Sequence, residues 1–360
     1  MDTRLATARG RKKPVTLRDI AALVNADLGT VSRALAGNPG VSKDRSAQIC
    51  AYAEALGYRP RPLRRKHANA IGLVVRVLRP SDRPMPNPGH LERMVALAEM
   101  GAAERGNHLH IHMLKPDGEE GMWPKFISEN RVDGVLMLGH GTSAFYERLA
   151  KEPIAAVAIN DTTERTGIDC VLSDPTPGIR DAVGQLLSLG HAAIGLVLTR
   201  REYATVSRRL DAYMTALREA GIEPDARWII QNVPEGLRGG QQAIRTYVAT
   251  RSVPTAIIFN DDWIAMGGAY ELARQGIRIP QDVSIVGYDN TAISEDLQPS
   301  LTSVDNHESQ MMLRAIEMLQ ERISGFDGPP RQVVLPSSLV WRESCARAGG
   351  VAGRGDGHTP

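Results

Sequence analysis

Four residues between positions 28 and 33 are of types that suit contact with DNA. Leu28, Gly29, Ser32 and Arg33 share one face if this stretch is a helix. Short or apolar side chains allow close approach to base edges, a hydroxyl suits a phosphate oxygen, and an arginine can bind guanine through two hydrogen bonds. The spacing predicts a recognition helix, although an arginine on a solvated helix face is also common without that role.

Capping residues around this stretch predict the helices that would position it. Thr16 precedes an apolar-periodic run and starts a short helix that ends before Asn25, a residue that tolerates a left-handed turn. Asp27 is then the expected N-cap of a second helix, which runs to about Leu35. A helix, a short turn and a second helix form a helix-turn-helix. A third helix follows Ser42, with buried positions expected at Ile49, Ala53 and Leu56.

The rest of the chain alternates short apolar runs with helical patterns. Repeated β-α units imply parallel sheets with helices on both faces, and seven strands suit two lobes better than one sheet. The predicted fold class is an all-α headpiece followed by an α/β core of two doubly wound parallel-sheet lobes. The expected strands are 71–75, 109–113, 132–138, 154–159, 193–198, 256–259 and 283–286, and the expected helices include 90–104, 178–188, 208–220 and 263–274.

Polar residues follow several of these strands, where ligands bind in open parallel sheets. Carboxylates and amides at strand ends suit the hydroxyl groups of a polyol, and two facing lobes would place them around one cleft. The same residue types also form turns or cap the next helix, and Asp262 is expected to do so. The candidates are Arg76, Gly139, His140, Asn160, Asp161, Asp261, Asp262, Asp289 and Asn290.

Charge divides the 360-residue chain into a basic head and an acidic body. The whole chain has a formal charge of +2, but residues 1–70 contain 14 Lys+Arg against 5 Asp+Glu, net +9. Residues 71–360 carry net −7. A basic module fused to an acidic domain favours binding of a polyanion by the head alone.

Other functional classes lack support in the sequence. No phosphate loop, zinc-protease motif or nucleophile elbow is present, so neither catalysis nor a cofactor is expected. His108, His110 and His112 alternate on one strand face, but no further ligand completes a metal site, and none is expected. The three widely spaced cysteines predict free thiols. The chain has no apolar run long enough for a membrane span or a signal peptide, so a cytoplasmic protein is expected.

Several motifs resemble the lactose-repressor (LacI) family of bacterial transcription regulators. In the head these are residues 16–21, 30–35, 39–42 and 56–60, of which Thr30-Val31-Ser32-Arg33 is the family signature. In the body, 71–75, 132–135, 189–191, 261–267, 286–290 and 299–302 are similar to successive landmarks of the family's core. The resemblance spans about residues 15 to 345 and implies a core similar to periplasmic sugar-binding proteins.

The resemblance also implies which residues contact DNA. Leu28, Gly29 and Arg33 map onto base-reading positions, and Thr30 and Ser32 map onto phosphate contacts. The segment after the headpiece is shorter than in relatives and lacks the leucine that inserts into the minor groove, so DNA kinking by this chain is left open. The expected DNA-contacting residues are Thr16, Leu28, Gly29, Thr30, Ser32, Arg33, Asn38, Arg64, Arg65 and Lys66.

The same resemblance places an effector pocket in the core at Arg76, Asn160, Arg209, Asp261 and Asp289. Two of these residues depart from the family pattern, because relatives have an asparagine where this chain has Asp261 and often a proline where it has Arg76. If Arg76 and Arg209 both face the cleft, an anionic effector such as a sugar acid is favoured over a neutral sugar.

These observations predict a transcription regulator, expected to be a repressor, that binds a palindromic operator as a homodimer, with a tetramer left open, and responds to a sugar or sugar derivative. The alternatives are a sugar-processing enzyme fused to a DNA-binding head and an architectural DNA-binding protein without an effector. The predicted plan is a disordered basic arm (1–13), headpiece (14–58), linker (59–70), core (71–345) and disordered tail (346–360). Within the core, the N-lobe comprises about 71–172 and 304–333, and the C-lobe about 173–303 and 334–345.

Overall fold

A computed structural model of the chain describes residues 16–35, 40–56, 58, 67–76, 90–114, 123–139, 141–199 and 204–349. The basic arm, most of the linker and the last residues lie outside this description, as do Asn38, Arg64, Arg65, Lys66 and His140 from the predicted sites. The chain divides into two compact units, Met1–Lys66 and His67–Pro360.

The first unit contains the three predicted helices, α1 (Leu17–Val24), α2 (Leu28–Leu35) and α3 (Lys43–Ala55). The Thr16 side chain caps α1 in a capping box with Asp19, and Asn25 ends it in the left-handed conformation, at φ 46°. Ser42 caps α3. Apolar side chains on the inner faces form one small core, which includes the fully buried Ile20, Val31 and Ile49. The helix-turn-helix of the predicted fold class is confirmed.

The second unit contains two six-stranded sheets, one in each lobe. All strand pairs of the first sheet are parallel. In the second sheet the β10–β12 pair is antiparallel and the other pairs are parallel. The first sheet has the order β11 (Gln332–Pro336), β5 (Asp169–Asp174), β4 (Ala155–Ile159), β3 (Gly134–Leu138), β1 (Ala70–Arg76), β2 (His108–Leu114), and the second has the order β12 (Ser338–Val340), β10 (Thr302–Asp305), β9 (Ser284–Tyr288), β8 (Ala256–Phe259), β6 (Ile194–Val197), β7 (Ile229–Ile230).

Helices cover both faces of each sheet, and each lobe has its own apolar cores. The chain crosses between the sheets after β5, after β10 and between β11 and β12, which makes three connections between the lobes. The two-lobed α/β core is therefore confirmed. The helices of this unit are α4 (His90–Ala103), α5 (Lys125–Ser128), α6 (Ser143–Leu149), α7 (Thr163–Thr166), α8 (Thr176–Ser188), α9 (Ala204–Glu219), α10 (Leu237–Ala249), α11 (Asp262–Arg274), α12 (Ala292–Asp296) and α13 (Glu308–Ile323).

The structure corrects the predicted start of the tail. Ala346 donates its amide hydrogen to the Ser284 hydroxyl at 3.1 Å, and Ala348 donates to the Leu189 carbonyl at 2.9 Å. The imidazole of His191 contacts the Ala346 carbonyl at 2.9 Å. The chain is thus bound to the second lobe beyond residue 345, and the prediction of disorder from 346 onward is wrong for these residues. The prediction of disorder rested on the glycine-rich composition of this segment, and composition does not predict such long-range hydrogen bonds.

Candidate ligand-binding cleft and nucleic-acid interface

One cavity of about 210 Å³ lies between the lobes, at the carboxyl ends of strands from both sheets. Its walls include the residues that end or follow β1, β4, β8 and β9, as expected for two facing parallel sheets. All five residues predicted from the sequence line it, and the structure therefore brings them together. They are Arg76, Asn160, Arg209, Asp261 and Asp289.

Arg209, on α9, is held by three neighbours. Its Nη1 donates to the Asn260 carbonyl at 2.6 Å, and its Nη2 lies 3.7 Å from Asp289 Oδ1. The guanidinium carbon lies 3.7 Å from the centre of the Tyr288 ring, a cation–π contact in a buried site. This arginine is rigidly placed, and the adjacent aspartate compensates much of its charge.

Asp289 is buried and strained, as functional groups at strand ends often are. Its φ of 92° lies in a region that L-residues rarely adopt. Oδ1 accepts a hydrogen bond from Asn306 Nδ2 at 2.8 Å. Burial raises the pKa of Asp289 to about 7, against the opposing effect of the Arg209 charge. The carboxyl group can therefore accept or donate a proton near neutral pH.

Asp261, rather than Asp262, caps α11. Asp261 caps α11, with Oδ1 accepting from Ile264 N at 2.8 Å, while its side chain also lines the cavity. Asp262 is fully buried and accepts hydrogen bonds from the Thr291 amide at 2.7 Å and the Ser303 hydroxyl at 2.6 Å. The prediction that Asp262 caps the helix is wrong, because the chain turns into the helix one residue earlier.

A second charged cluster adjoins the cavity at the start of α4 and α13. The His90 Nδ1 contacts a carboxylate oxygen of Glu308, which is 0% exposed, and Arg93 Nε lies 3.1 Å from the other oxygen. Arg93 Nη1 also donates to the carbonyls of Asp289 and Asn290, at 3.4 and 3.3 Å. The cluster thus links a helix of the first lobe to the turn that follows β9 in the second lobe.

The spacing within this cluster would also suit a cation. Ligand atoms of His90, Asp289 and Glu308 lie within 4.8 Å of one another. Both carboxylates, however, already face an arginine, Arg209 at 3.7 Å and Arg93 at 3.1 Å. Two guanidinium groups at this range repel an added cation, so the residues present do not favour a metal site.

Several buried polar atoms at the cavity have no protein partner within the described part of the chain. They include Arg209 Nε, Asn260 Oδ1 and Asn306 Oδ1. Asn260 and Asn306 use their amide nitrogens on the carboxylates of Asp261 and Asp289, at 3.2 and 2.8 Å, which leaves the oxygens as acceptors. A buried polar atom without a partner costs stability, and a ligand that donates two hydrogen bonds would relieve this cost.

In the first unit, α2 exposes the predicted recognition face. Asp27 caps the helix by accepting from the Thr30 amide at 2.8 Å and from the Thr30 hydroxyl at 2.6 Å. Val31 packs inward with 0% exposure, whereas Leu28 is 42% exposed and Arg33 is exposed. An exposed face that combines an apolar residue and an arginine at a capped helix start matches the geometry of major-groove recognition.

Comparisons with known proteins agree with both units. A family described as "Periplasmic binding protein-like domain" matches residues 183–345. The "HTH-type transcriptional regulator reg1" of Streptomyces lividans is 28% identical over 94% of this chain and 99% of its own length. The "Ribose operon repressor" of Haemophilus influenzae is also 28% identical, over 91% of this chain and 98% of its own.

Solved structures agree as well. A lac repressor dimer bound to operator and the anti-inducer ONPF has a TM-score of 0.66 at 25% identity, covering 93% of this chain and 100% of that chain. Over almost its whole length the chain is therefore similar to LacI-family transcription regulators. A complex of the regulator CelR with cellobiose has a TM-score of 0.68 at 25% identity, covering 92% of this chain and 99% of CelR.

Several residues that line the cavity were not predicted from the sequence. His90 begins a helix rather than ending a strand, and Ser173 and Asn306 belong to or follow strands that were not predicted. Glu235 lies in the loop before α10, which has no strand pattern. The similarity of residues 299–302 to a family landmark was the one signal that pointed to the neighbourhood of Asn306.

No helix in the described ranges of this chain is long and apolar enough to cross a membrane.

Proposed function

We propose that this protein represses transcription by binding a palindromic operator as a dimer, and that a polyhydroxylated small molecule in the interlobe cavity changes its affinity for DNA. The observation that carries the proposal is the cavity itself, which is lined by all five residues predicted from the sequence. We place the protein in the cytoplasm, where the operator is accessible.

The proposed DNA interface is the exposed face of α2. Arg33 is the proposed base-reading residue, and Leu28 and Gly29 allow the helix to approach the groove. Thr30 and Ser32 are proposed phosphate contacts. Thr16 is used as the cap of α1 through its hydroxyl, so a DNA contact by Thr16 would have to share that group with Asp19. The contacts proposed for Asn38, Arg64, Arg65 and Lys66 lie outside the described residues.

The proposed class of effector follows from the free hydrogen-bonding capacity of the cavity. Asn260 and Asn306 present acceptors and Arg209 presents a donor, which suits the hydroxyl groups of a sugar or sugar derivative. Two similar proteins support this class, one named for a ribose operon and one solved with cellobiose. Apolar walls, including Val75 and Leu138, would pack against the carbon skeleton.

The proposed dimer uses an apolar face of the first lobe. Met100 on α4 is 58% exposed and Ile111 on the adjacent edge strand β2 is 48% exposed. Large apolar side chains grouped on a surface mark sites of association. One headpiece reads a half-site of a few base pairs, so a two-fold pair is needed for a palindrome. Ile111→Asp should yield a monomer in analytical ultracentrifugation. The same measurement on the wild type would distinguish a dimer from a tetramer.

Control of DNA binding would arise from a ligand that binds two lobe arrangements with different affinity. Such coupling is typically about 1–3 kcal/mol, equivalent to a change in operator affinity of about 5- to 150-fold. The decisive experiment selects operator fragments from genomic DNA and repeats the mobility shift with pooled carbon-source metabolites. A fragment whose shift responds to the pool supports the proposal. Turnover of a metabolite would favour the enzyme alternative, and a shift unaffected by every pool would favour the architectural alternative.

A further inference from the structure

The two walls of the cavity differ in charge. Of the described residues that line it, the charged ones from the first lobe are Arg76 and His90, both basic. The charged ones from the second lobe are Arg209 and three acids, Glu235, Asp261 and Asp289. A ligand with one anionic end would therefore meet opposite charge at the first-lobe wall and repulsion at the second-lobe wall.

Arg209 is already engaged by neighbours in the second lobe, so we assign the anion to other basic groups. The anionic effector expected from the sequence relied on Arg76 together with Arg209. In the structure Arg209 is engaged by Asp289, the Asn260 carbonyl and the face of Tyr288. A second basic group for an anion must come from elsewhere in the cavity, and His90 is the one on the same wall as Arg76.

His90 is held as a charged donor. Its Nδ1 is bound by the buried carboxylate of Glu308, and within the described chain its Nε2 has no partner while the ring lines the cavity. Burial opposes the charged ring, but Glu308 outweighs this effect and raises the pKa of His90 to about 9. Arg93 also faces Glu308, at 3.1 Å, so the three groups together carry an excess positive charge.

We propose that the effector carries a carboxylate that binds Arg76 and the Nε2–H of His90, while its hydroxyl groups face Asn260 and Asn306 on the opposite side. Charge-assisted hydrogen bonds of this kind are roughly twice as strong as neutral ones. Glu308 is then a positioning residue that fixes the ring and its charge. This inference rests on the proposed function, because it names the class of molecule that fills the same cavity.

Matched sugars test the proposal on the full-length wild-type protein. D-galacturonate and D-galactose, or D-glucuronate and D-glucose, differ only in a carboxylate that replaces a hydroxymethyl group, and D-gluconate adds an open-chain acid. Thermal shift followed by calorimetry should detect binding of at least one acid, with its neutral counterpart at least tenfold weaker. Neutral sugars that bind as tightly as their acids would overturn the inference and leave the proposed function intact. A complete lack of binding by sugars and acids would contradict both.

Substitution of His90 provides the second readout. His90→Gln keeps a neutral hydrogen-bond donor. It should weaken binding of the sugar acid at least tenfold and change the affinity for the neutral sugar much less. His108→Gln, at an exposed histidine on β2, is the matched control. Circular dichroism verifies folding, and Arg76→Gln repeats the test if His90→Gln does not fold. Equal loss for acid and neutral sugar would contradict a charge-reading role.

The pH profile adds a signature that a purely structural role would not give. The charges of Glu308, Asp289 and Arg209 act on His90, and Arg93 contacts the same Glu308. Because the pKa of Asp289 is about 7, the measurement runs from pH 8 to 10. The wild-type affinity for the acid should fall about tenfold per pH unit above about 9, as the imidazolium loses its proton. His90→Gln should show a flat profile, and a flat wild-type profile would contradict the proposal.

Discussion

The headpiece and the cleft hold their functional groups in different ways. In the headpiece, polar bonds are local and exposed, as between Asp27 and Thr30, three residues apart. In the cleft they are buried and join distant parts of the chain, as between His90 and Glu308, which are 218 residues apart. Headpiece changes should therefore alter DNA affinity with little loss of fold, whereas cleft changes should alter stability and ligand response together.

The largest effect should come from Glu308→Ala. Removal of this buried carboxylate leaves His90 and Arg93 without their anion, which typically costs about 3–5 kcal/mol. Urea denaturation measures the change in the free energy of unfolding. Glu317→Ala is the matched control on the same helix, since Glu317 is 41% exposed and its pairing with Arg314 should contribute at most about 1 kcal/mol. Equal losses for the two variants would contradict the contrast between buried and exposed ion pairs.

The second-largest effect is expected for Asp289→Asn, which preserves the shape of the side chain and should remove control of DNA binding by the effector. The variant cannot carry the charge that faces Arg209, and the coupling of about 1–3 kcal/mol between ligand and operator should be lost. Operator affinity without ligand should stay within about twofold of wild type. Fluorescence anisotropy with a labelled operator measures both values. An unchanged ligand response would place the controlling site outside the cavity.

A similar or smaller effect is expected for Arg33→Ala in the headpiece. Loss of a two-hydrogen-bond contact to guanine should cost about 1–3 kcal/mol at the operator and relax the preference at one base pair. Arg18→Ala, at an exposed arginine on α1, is the control for loss of charge alone and should lower the affinity for all DNA sequences alike. Selection of random operators by both variants gives the comparison, and uniform weakening by Arg33→Ala would contradict its base-reading role.

The smallest effect is expected for Asp27→Ala. It removes both hydrogen bonds to Thr30 at the start of α2, and loss of an N-cap costs about 1 kcal/mol. Thermal unfolding followed by circular dichroism should detect a lower melting temperature for the headpiece. Asp44→Ala, an exposed acid in the first turn of α3 where Ser42 is the cap, should change it much less. Equal changes would show that Asp27 does not act through capping.

The same contrast explains what the sequence could predict. The headpiece helices follow from caps and turns within a few residues of each other, and all three were predicted. In the core, seven strands were predicted, but β5, β7, β10, β11 and β12 were not. Polar residues interrupt β5 and β10, whose burial depends on neighbouring strands. Helix α10 contains two adjacent glycines, which weaken its pattern; a side chain at Gly240 would overlap the backbone of α11.

The cleft was predictable only in part. Residues that follow apolar strands, such as Asn160 and Asp289, could be placed at one edge of a sheet from the pattern alone. The groups that contact one another across the cleft could not be paired from the pattern. The contact between His90 and Glu308, for example, depends on the packing of two helices that are far apart in the sequence. Which of Asp261 and Asp262 caps α11 depends on the residue at which the helix begins. Sequence patterns locate a helix start to within one or two residues at best.

Control of the headpiece by the cleft is tested by the operator affinity of the full-length protein, with and without a ligand that calorimetry shows to bind the cavity. We predict a change in Kd of about 5- to 150-fold for the wild type and none for Asp289→Asn. A ligand that binds the wild-type cavity and leaves operator affinity unchanged would show that the cleft does not control the headpiece.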